Sequence, residues 1–416
     1  MDPHVVVWTI AALATAGVVV RPFGWPEAVW AVGGALTLVV LGLLPPGRAL
    51  DAVAKGDDVY LFLVGMMLLS EVARREGLVD WVAAIAVERA RGSSLRLFTS
   101  IYCVGVVVTT FLSNDATAVV LTPAVVAATR QARVPALPYL FICAFVANAA
   151  SFVLPISNPA NLVLYGAHLP PLGAWLARFA LPSLLSIGAT WLALRLVEGR
   201  RLPTTCERGG SVAPPSRGAW MALAGIAATA VVLSTVSALD RALGLPTLVM
   251  GIATTALVLV VSRSAPWPIV KGVAWSVLPL VAGLFVLVEA LSTTGAIAVL
   301  GDWLRSTADS SRAAWMSGLS IAFASNVVNN LPAGLIASSA IGLAHPSQPV
   351  IDAVLIGVDL GPNLSITGSL ATILWLNAIR REGEVVGFWR FAATGFVVMT
   401  PALLLALAAR LLSGGA

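Results

Sequence analysis

Charge is what this sequence has least of. Only 11% of its 416 residues are Asp, Glu, Lys or Arg, and 58% are hydrophobic, whereas a soluble domain carries about 25% charged residues. So few charged side chains cannot cover the surface of a soluble fold of this length. The composition excludes a cytosolic enzyme, a DNA-binding protein and a disordered chain. It predicts an all-α polytopic membrane protein, because about 20 successive apolar residues span a bilayer and the chain holds many such runs.

Cysteines and recognisable catalytic motifs are also scarce. Two of the three cysteines, Cys103 and Cys143, lie in apolar runs, so we expect no disulfide framework. His168 and His345 have no partner at metal-ligand spacing, and we predict neither a metal site nor a cofactor. The sequence contains no Walker-type phosphate loop, no His-Glu-x-x-His motif and no serine with an evident base. A secondary transporter is therefore predicted rather than an enzyme.

A polar segment divides the chain near its middle. Residues 198–218, EGRRLPTTCERGGSVAPPSRG, are typical of an exposed linker. We predict a first repeat over residues 1–197 and a second over residues 219–416. Three segments recur in the same order: GMMLLSEVARREG (65–77) with GLFVLVEALSTTG (283–295), SNDATA (113–118) with VNNLPA (328–333), and PISNPANLVLY (155–165) with SITGSLATILW (365–375).

Each repeat is predicted to contain five crossings and one re-entrant hairpin. The predicted crossings are 5–20, 26–44, 58–73, 137–165, 172–197, 219–237, 246–262, 272–291, 350–379 and 386–412, with hairpins at 97–129 and 313–344 and interfacial helices at 79–90 and 296–306. Five is odd, so the repeats are inverted. A cytoplasmic linker places most of the 25 Lys and Arg residues inside, as the positive-inside rule requires. This predicts an inner-membrane protein with both termini on the outer side; the basic loops explain the net charge of +5 without a nucleic-acid partner. We expect no cleavable signal peptide, because Asp2 rather than a basic stretch precedes the first apolar run.

Four polar breaks interrupt the apolar segments, at residues 113–117, 155–161, 329–332 and 361–369. Irregular backbone at membrane depth is tolerated only inside protein or along a water-filled cavity. Broken helices in inverted repeats are typical of secondary transporters, which bind their substrates near the midplane. The second and fourth breaks predict broken helices within 137–165 and 350–379. The candidate substrate ligands are Ser113, Asn114, Thr117, Ser157, Asn158, Asn329, Asn330 and Thr367, although each alone could instead hold helices together.

Acidic residues in apolar segments are the candidates for proton coupling, because burying a charge is expensive. They are Glu71, Asp115, Glu289 and Asp359. Burial favours the neutral form of a carboxyl group, so Asp115 is the first candidate proton carrier and Asp359 the second; each could instead cap a half-helix. Glu71 precedes Arg74 and Arg75 at helical ion-pair spacing. The roles of Glu71 and of its repeat mate are left open. No Lys, Arg or His lies within the breaks, which disfavours an anionic substrate.

The broken segments resemble the signature segments of the bacterial arsenite/antimonite efflux permeases, the arsenical pump membrane proteins of the ion transporter superfamily. SNDATAVVLTPAV (113–125), ANAASFVLPISNPANLVLYG (147–166), SNVVNNLPAGL (325–335) and GVDLGPNLSITGSLATILW (357–375) carry this resemblance. It implies ten spanning helices, two hairpins and proton-driven export of trivalent arsenic or antimony hydroxides. Asn148-Ala149 stands where some members have Asp-Thr, which puts the number of protons in doubt.

The resemblance implies arsenite or antimonite, protons and the lipid bilayer as partners, and leaves open a soluble ATPase subunit. The neutral trihydroxide suits Asn, Ser and backbone groups, and alternating access would exchange it for protons. A sodium/proton antiporter is one alternative, since it would use the same acids. A sodium-coupled anion symporter is another, although those proteins usually carry Ser-Asn-Thr where this chain has Ser113-Asn114-Asp115.

Overall fold

The computed structural model describes residues 2–166, 169–208, 212–306 and 311–413. Within these ranges the regular structure is helical, apart from one isolated bridge between Ser93 and Thr205. The predicted all-α class is confirmed. His168, linker residues 209–211 and the last three residues lie outside the described ranges.

The described residues of the first half form eleven α-helices. They are α1 (Pro3–Val20), α2 (Glu27–Val40), α3 (Pro46–Ala54), α4 (Asp57–Arg75), α5 (Leu78–Ala90), α6 (Ser94–Leu112), α7 (Asn114–Ala116), α8 (Thr122–Gln131), α9 (Leu137–Ala149), α10 (Pro159–Tyr165) and α11 (Leu172–Glu198). A π-helical turn, Thr117–Leu121, joins α7 to α8, and 3-10 turns cover Pro22–Gly24, Pro155–Ser157 and Gly199–Arg201. The short helix α3 is an addition to the predicted elements.

The described residues of the second half form ten α-helices. They are α12 (Arg217–Ala238), α13 (Gly244–Ser262), α14 (Trp267–Gly272), α15 (Val277–Thr293), α16 (Ala296–Ser306), α17 (Ser311–Val328), α18 (Asn330–Ala344), α19 (Gln348–Leu360), α20 (Leu370–Arg381) and α21 (Phe388–Ser413). A 3-10 turn, Gly361–Leu364, follows α19. The interfacial helix predicted at 296–306 coincides with α16, and the segment predicted at 350–379 breaks between α19 and α20.

Six of the described helices are long and apolar enough to cross a bilayer: α1, α6, α11, α12, α13 and α21. The number rises to seven if α15 and α16, which meet at a bend of 79°, form one span. The chain is therefore a multi-pass membrane protein. Ten crossings, the re-entrant nature of the two hairpins and the inverted orientation of the halves stay predictions.

In each half, one helix packs against a helix of the other half. Helix α4 packs on α13, and α15 packs on α2. Gly65 on α4 and Gly283 on α15, which the predicted repeat aligns, lie at these two crossings. A Cβ atom on Gly65 would meet the Thr247 carbonyl, and one on Gly283 would meet the backbone of Ala31. Small residues permit such close approach of membrane helices, so the core joins the halves.

The described part of the linker lies against the first half. Cys206 donates its backbone N–H to the Gly92 carbonyl at 3.0 Å, and Glu207 donates to the Ala132 carbonyl at 2.9 Å. The Glu207 carboxylate also pairs with Arg133 at 2.7 Å. This part of the linker is exposed at Thr204, Thr205, Glu207 and Arg208, and its backbone is hydrogen-bonded to the turns that follow α5 and α8.

Candidate functional site

Each hairpin turns at one residue of unusual backbone conformation. Helix α6 gives way to α7 at Ser113, with φ 87° and ψ 162°, and α17 gives way to α18 at Asn329, with φ 74° and ψ 154°. Positive φ is uncommon for residues other than glycine. Each turn leaves the first N–H groups of the following half-helix without intrahelical partners. The near-equal angles align Ser113 with Asn329. The predicted pairing of SNDATA with VNNLPA instead aligns Ser113 with Val328, one residue earlier.

The two broken helices resume at polar caps. Asn158 precedes α10, and its side-chain oxygen accepts a hydrogen bond from the Ala160 N–H at 3.0 Å. Ser369 precedes α20, and its hydroxyl oxygen accepts from the Thr372 N–H at 3.1 Å. Side-chain caps of this kind stabilise a helix start. Both breaks therefore end in half-helices whose N-termini lie inside the protein.

The second hairpin tip is bonded to the break that precedes α20. The Asn330 N–H donates to the Gly368 carbonyl at 2.9 Å, and the Asn329 side chain donates to the Thr367 carbonyl at 3.1 Å. The Thr367 hydroxyl lies 3.4 Å from that of Ser365. The side-chain oxygen of Asn330 is buried and has no hydrogen-bond partner among the described residues. The side-chain oxygen of Asn330 is therefore free to accept a hydrogen bond, whereas the side chain of Asn329 already forms hydrogen bonds with Thr367 and with the Leu331 N–H.

The first hairpin tip is tied together by hydroxyl groups. Thr117 lies 2.7 Å from the hydroxyl of Thr109 and contacts the Ser113 carbonyl at 3.3 Å. The Ser157 hydroxyl donates to the Thr110 carbonyl at 3.0 Å and accepts a backbone N–H of its own turn. Thr117 and Ser157 therefore fasten the hairpin and the break, and neither presents a free hydroxyl in this structure.

Asp359 lies at the end of α19 and is completely buried. One of its carboxylate oxygens accepts a hydrogen bond from the Asn158 side chain, which comes from the other half. The second oxygen has no hydrogen-bond partner among the described residues. A helix C-terminus is the less favourable end for a negative charge. Asp359 therefore combines full burial, an unfavourable helix end and a contact between the halves.

Asp115 lines a cavity of about 70 Å³ between the first hairpin, α4, α10 and α20. Ser70, Ser113, Pro159 and Leu374 are among its other lining residues, and the described lining includes no Lys, Arg or His. One water needs about 10–15 Å³ of such space, so the cavity has room for a small polar solute. Asp115 lies in the first turn of α7, and its side chain does not form the N-terminal cap.

The other two acids in apolar segments are paired with bases. Glu71 contacts Arg74 at 2.6 Å and Arg75 at 2.7 Å, at the spacing that predicted these pairs. Glu289 pairs with Lys55 of the first half at 2.8 Å. Local spacing could not reveal this second partner, because it comes from the opposite repeat. Both glutamates are therefore charge-compensated, in contrast to Asp359.

A buried cluster surrounds Asp352, a residue that is not among the sequence-predicted site residues. Its carboxylate accepts hydrogen bonds from Arg410 at 2.6 Å, Tyr165 at 2.8 Å and Gln348 at 2.8 Å. Both members of the Asp352–Arg410 pair are buried. Asp352 lies seven positions before Asp359, and this spacing puts both acids on one face of α19. That spacing was the available signal in the sequence.

Asn148 is a second residue with an unpredicted partner. Its side chain donates to the Asn363 side-chain oxygen at 2.9 Å and so joins α9 to the turn after α19. The side-chain oxygen of Asn148 is buried without a partner among the described residues. The position that departs from an expected Asp therefore links the two broken helices.

Comparison with known proteins identifies the family. A family model described as "Citrate transporter" (CitMHS) matches residues 7–358. The chain belongs to this family. The CitMHS chain is also 27% identical over 369 residues to an "Arsenical pump membrane protein" of Yersinia enterocolitica, covering 83% of this chain and 84% of the relative. It is 25% identical over 412 residues to a protein of the same name from Escherichia coli K12, covering 93% and 92%.

A solved transporter supports the fold. The YdaH transporter of Alcanivorax borkumensis superposes with a TM-score of 0.58 and 16% identity, covering 100% of this chain and 98% of the other. The resemblance to arsenical pump membrane proteins is confirmed, and the chain is a membrane transporter of the CitMHS family. Its relatives are transporters, in line with the prediction that it is not an enzyme.

Proposed function

We propose that this transporter exports arsenite or antimonite, as the neutral trihydroxide, in exchange for protons. The observation that carries the proposal is Asp359, a fully buried carboxyl group without a basic partner among the described residues. An isolated buried charge is so costly that such a group takes up a proton instead. Because Asn158 of the other half contacts it, a change in its protonation acts on both halves at once.

The chemistry of the cavity favours a neutral substrate over citrate. Citrate is anionic, and a buried anion needs basic partners or several hydrogen-bond donors. The described cavity lining carries Asp115 and Glu71 but no basic residue. A small triol needs only neutral donors and acceptors, and the neutral polar residues Ser70 and Ser113 line this cavity. Because the family model is described as a citrate transporter, citrate transport is the second candidate function. The vesicle assay described below distinguishes the two functions.

Proton coupling is assigned to Asp115 and Asp359. Uphill movement of a neutral solute needs a coupled ion, and these two acids lie at the first hairpin tip and at the end of α19. Asp115 takes the proton from outside as the substrate leaves, and Asp359 holds a proton where the broken helices meet. Neither forms an ion pair among the described residues, so each can gain or lose a proton without breaking a salt bridge.

The orientation follows the distribution of basic residues. The lining of the Asp115 cavity reaches the end of α4, where Glu71 pairs with Arg74 and Arg75, and includes Gly272 of α14. The positive-inside rule assigns this end to the cytoplasm. In the proposed topology the linker lies in the cytoplasm, both termini lie outside and the chain is in the inner membrane. The cavity then admits substrate from the cytoplasm, and alternating access releases it outside.

Everted membrane vesicles from an arsenite-sensitive bacterium that expresses this chain test the proposal. The vesicles are washed free of soluble proteins, and arsenite, antimonite, citrate or sodium is offered in turn. We expect arsenite or antimonite to accumulate when the vesicle interior is acid, without sodium or ATP, and a protonophore to abolish accumulation. Transport of citrate alone, or sodium/proton exchange without arsenite movement, would overturn the proposal. Accumulation only after ATP and the removed soluble proteins are added back together would establish a soluble ATPase subunit as an essential partner.

A further inference from the structure

Helix α10 is bonded to α19 at both of its ends. Asn158, the cap of α10, donates to Asp359, and Tyr165, its last residue, donates its hydroxyl to Asp352 at 2.8 Å. The two acids are seven positions apart, and so are Asn158 and Tyr165. Seven helical residues rise about 10 Å. The two bonded pairs therefore run along α10 and α19 in opposite chain directions, with matched spacing.

The two attachments differ in charge compensation. Asp352 is bonded to Arg410 of α21 at 2.6 Å as well as to Tyr165, and its side chain is completely buried. Breaking a buried ion pair of this kind is strongly unfavourable. Asp359 has no such basic partner among the described residues. The Tyr165 end of α10 is therefore bonded to an acid that a buried ion pair holds in place, while the Asn158 end is bonded to an acid without a basic partner among the described residues.

Helix α10 also separates two cavities. Pro159, its first residue, lines the cavity beside Asp115. Leu162 and Val163 line a second cavity of about 210 Å³, which also contains Lys55 and Glu289. Three or four residues are one helical turn, or about 5 Å. A single turn of α10 therefore lies between the two cavities.

We propose that Tyr165, Asp352 and Arg410 are positioning residues that anchor one end of α10, and that α10 pivots about this anchor to transfer access from the first cavity to the second. When the hydrogen bond between Asn158 and Asp359 breaks, the Pro159 end of α10 can move. The helix then rotates about its other end, which Tyr165 holds in place. The inference rests on the proposed function for the identity of the cargo and for the proton exchange at Asp359. The two attachments and the two cavities support the motion itself.

The variant Tyr165→Phe tests the anchor with little loss of packing. It removes one hydroxyl and keeps the ring beside Trp175, whose centroid lies 5.7 Å away. Tyr102→Phe is the matched control, because it removes a hydroxyl that donates to the Ile187 carbonyl at 2.7 Å, outside α10 and α19. In proteoliposomes we expect Tyr165→Phe to lower the maximal rate of arsenite transport at least fivefold with KM within twofold. The control should change neither beyond twofold. A maximal rate within twofold of wild type for Tyr165→Phe would refute the anchor.

Cysteine labelling gives a readout that needs no substrate. Pro159→Cys and Val163→Cys are made separately in a chain whose three native cysteines are replaced by alanine, and each is labelled with a membrane-impermeant maleimide in right-side-out and everted vesicles. We expect the two sites to label from opposite faces. Adding Tyr165→Phe should change their rates by more than threefold in opposite directions, because a shift between two states exposes one site as it covers the other.

Local loosening of the fold would instead raise both labelling rates, and an unimportant contact would leave both unchanged. Either result, or labelling of both sites from the same face, would overturn the proposal. If the wild-type chain fails to move arsenite while the opposite labelling changes are observed, the proposed function is wrong and the pivot stands.

Discussion

Asn158 donates a hydrogen bond to Asp359 across 201 positions of the chain. Both side chains are buried at the ends of half-helices, one at the start of α10 and the other at the end of α19. Backbone and side-chain polar groups at membrane depth have no bulk water to replace a lost partner. In the proposed mechanism this one bond therefore joins a candidate substrate ligand to a candidate proton carrier.

Replacing Asp359 by Asn should abolish proton-coupled export. The amide has nearly the same shape and can accept from Asn158 through its oxygen, but it cannot exchange a proton. We expect arsenite resistance of a sensitive host to fall to the level of the empty vector, with normal protein abundance in the membrane. Glu382→Gln, at a surface ion pair with Arg130, serves as the control and should retain resistance. Full resistance in Asp359→Asn would remove this acid from the coupling mechanism.

Replacing Asp115 by Asn should also abolish export while leaving folding intact. Asp115 lines the cavity and does not cap the half-helix, so its loss removes a titrating group and little structure. Asp80→Asn is the matched control, because Asp80 is exposed on α5. The measurement is arsenite uptake by everted vesicles, with elution from a size-exclusion column as the check on folding. Undiminished uptake by Asp115→Asn would contradict the assignment.

Replacing Gly65 by Leu should destabilise the contact between the two halves. The new side chain would collide with the backbone of α13 at Thr247. Overpacking of this kind costs about 1–3 kcal/mol, and we expect a lower thermal midpoint in detergent. Gly33→Leu is the matched control, since nothing lies within 4 Å of a Cβ atom at that glycine. Equal midpoints for the two variants would show that α4 and α13 do not pack as described.

The Cys206 thiol should react slowly with maleimides near neutral pH. Burial raises the pKa of the Cys206 thiol, against hydrogen bonds with Ser94 and Gly92 that lower it. The thiolate is the reactive form, so a raised pKa leaves less of it at pH 7 and makes the rate increase with pH. Arg133→Ala breaks the pair with Glu207 and should speed labelling at least threefold.

The comparison is made in everted vesicles, with Cys103 and Cys143 replaced by alanine and free glutathione as the reference thiol. A rate for Cys206 equal to that of glutathione at pH 7 would show that the linker does not rest on the turns after α5 and α8.

Local features of the sequence determined the elements of this protein. The shortage of charge and the length of the apolar runs predicted the all-α membrane class, and the helix predicted at 79–90 is present as α5, Leu78–Ala90; its interfacial position stays a prediction. The breaks followed from clusters of Pro, Gly and Asn, which disfavour the interior of a helix; the single prolines Pro182 and Pro401 stand inside α11 and α21 without ending them. Glu71 was correctly paired with Arg74 and Arg75, because residues three and four apart share a helix face.

Only the tertiary structure decided which distant groups meet. Lys55 as the partner of Glu289, Arg410 as the partner of Asp352 and Asn158 as the partner of Asp359 all come from remote parts of the chain. Helix periodicity predicts which side chains share a face of one helix. How the helices pack decides which residues of other helices lie against that face. The partner of each of these acids therefore depends on how distant helices pack against one another, which no local pattern contains.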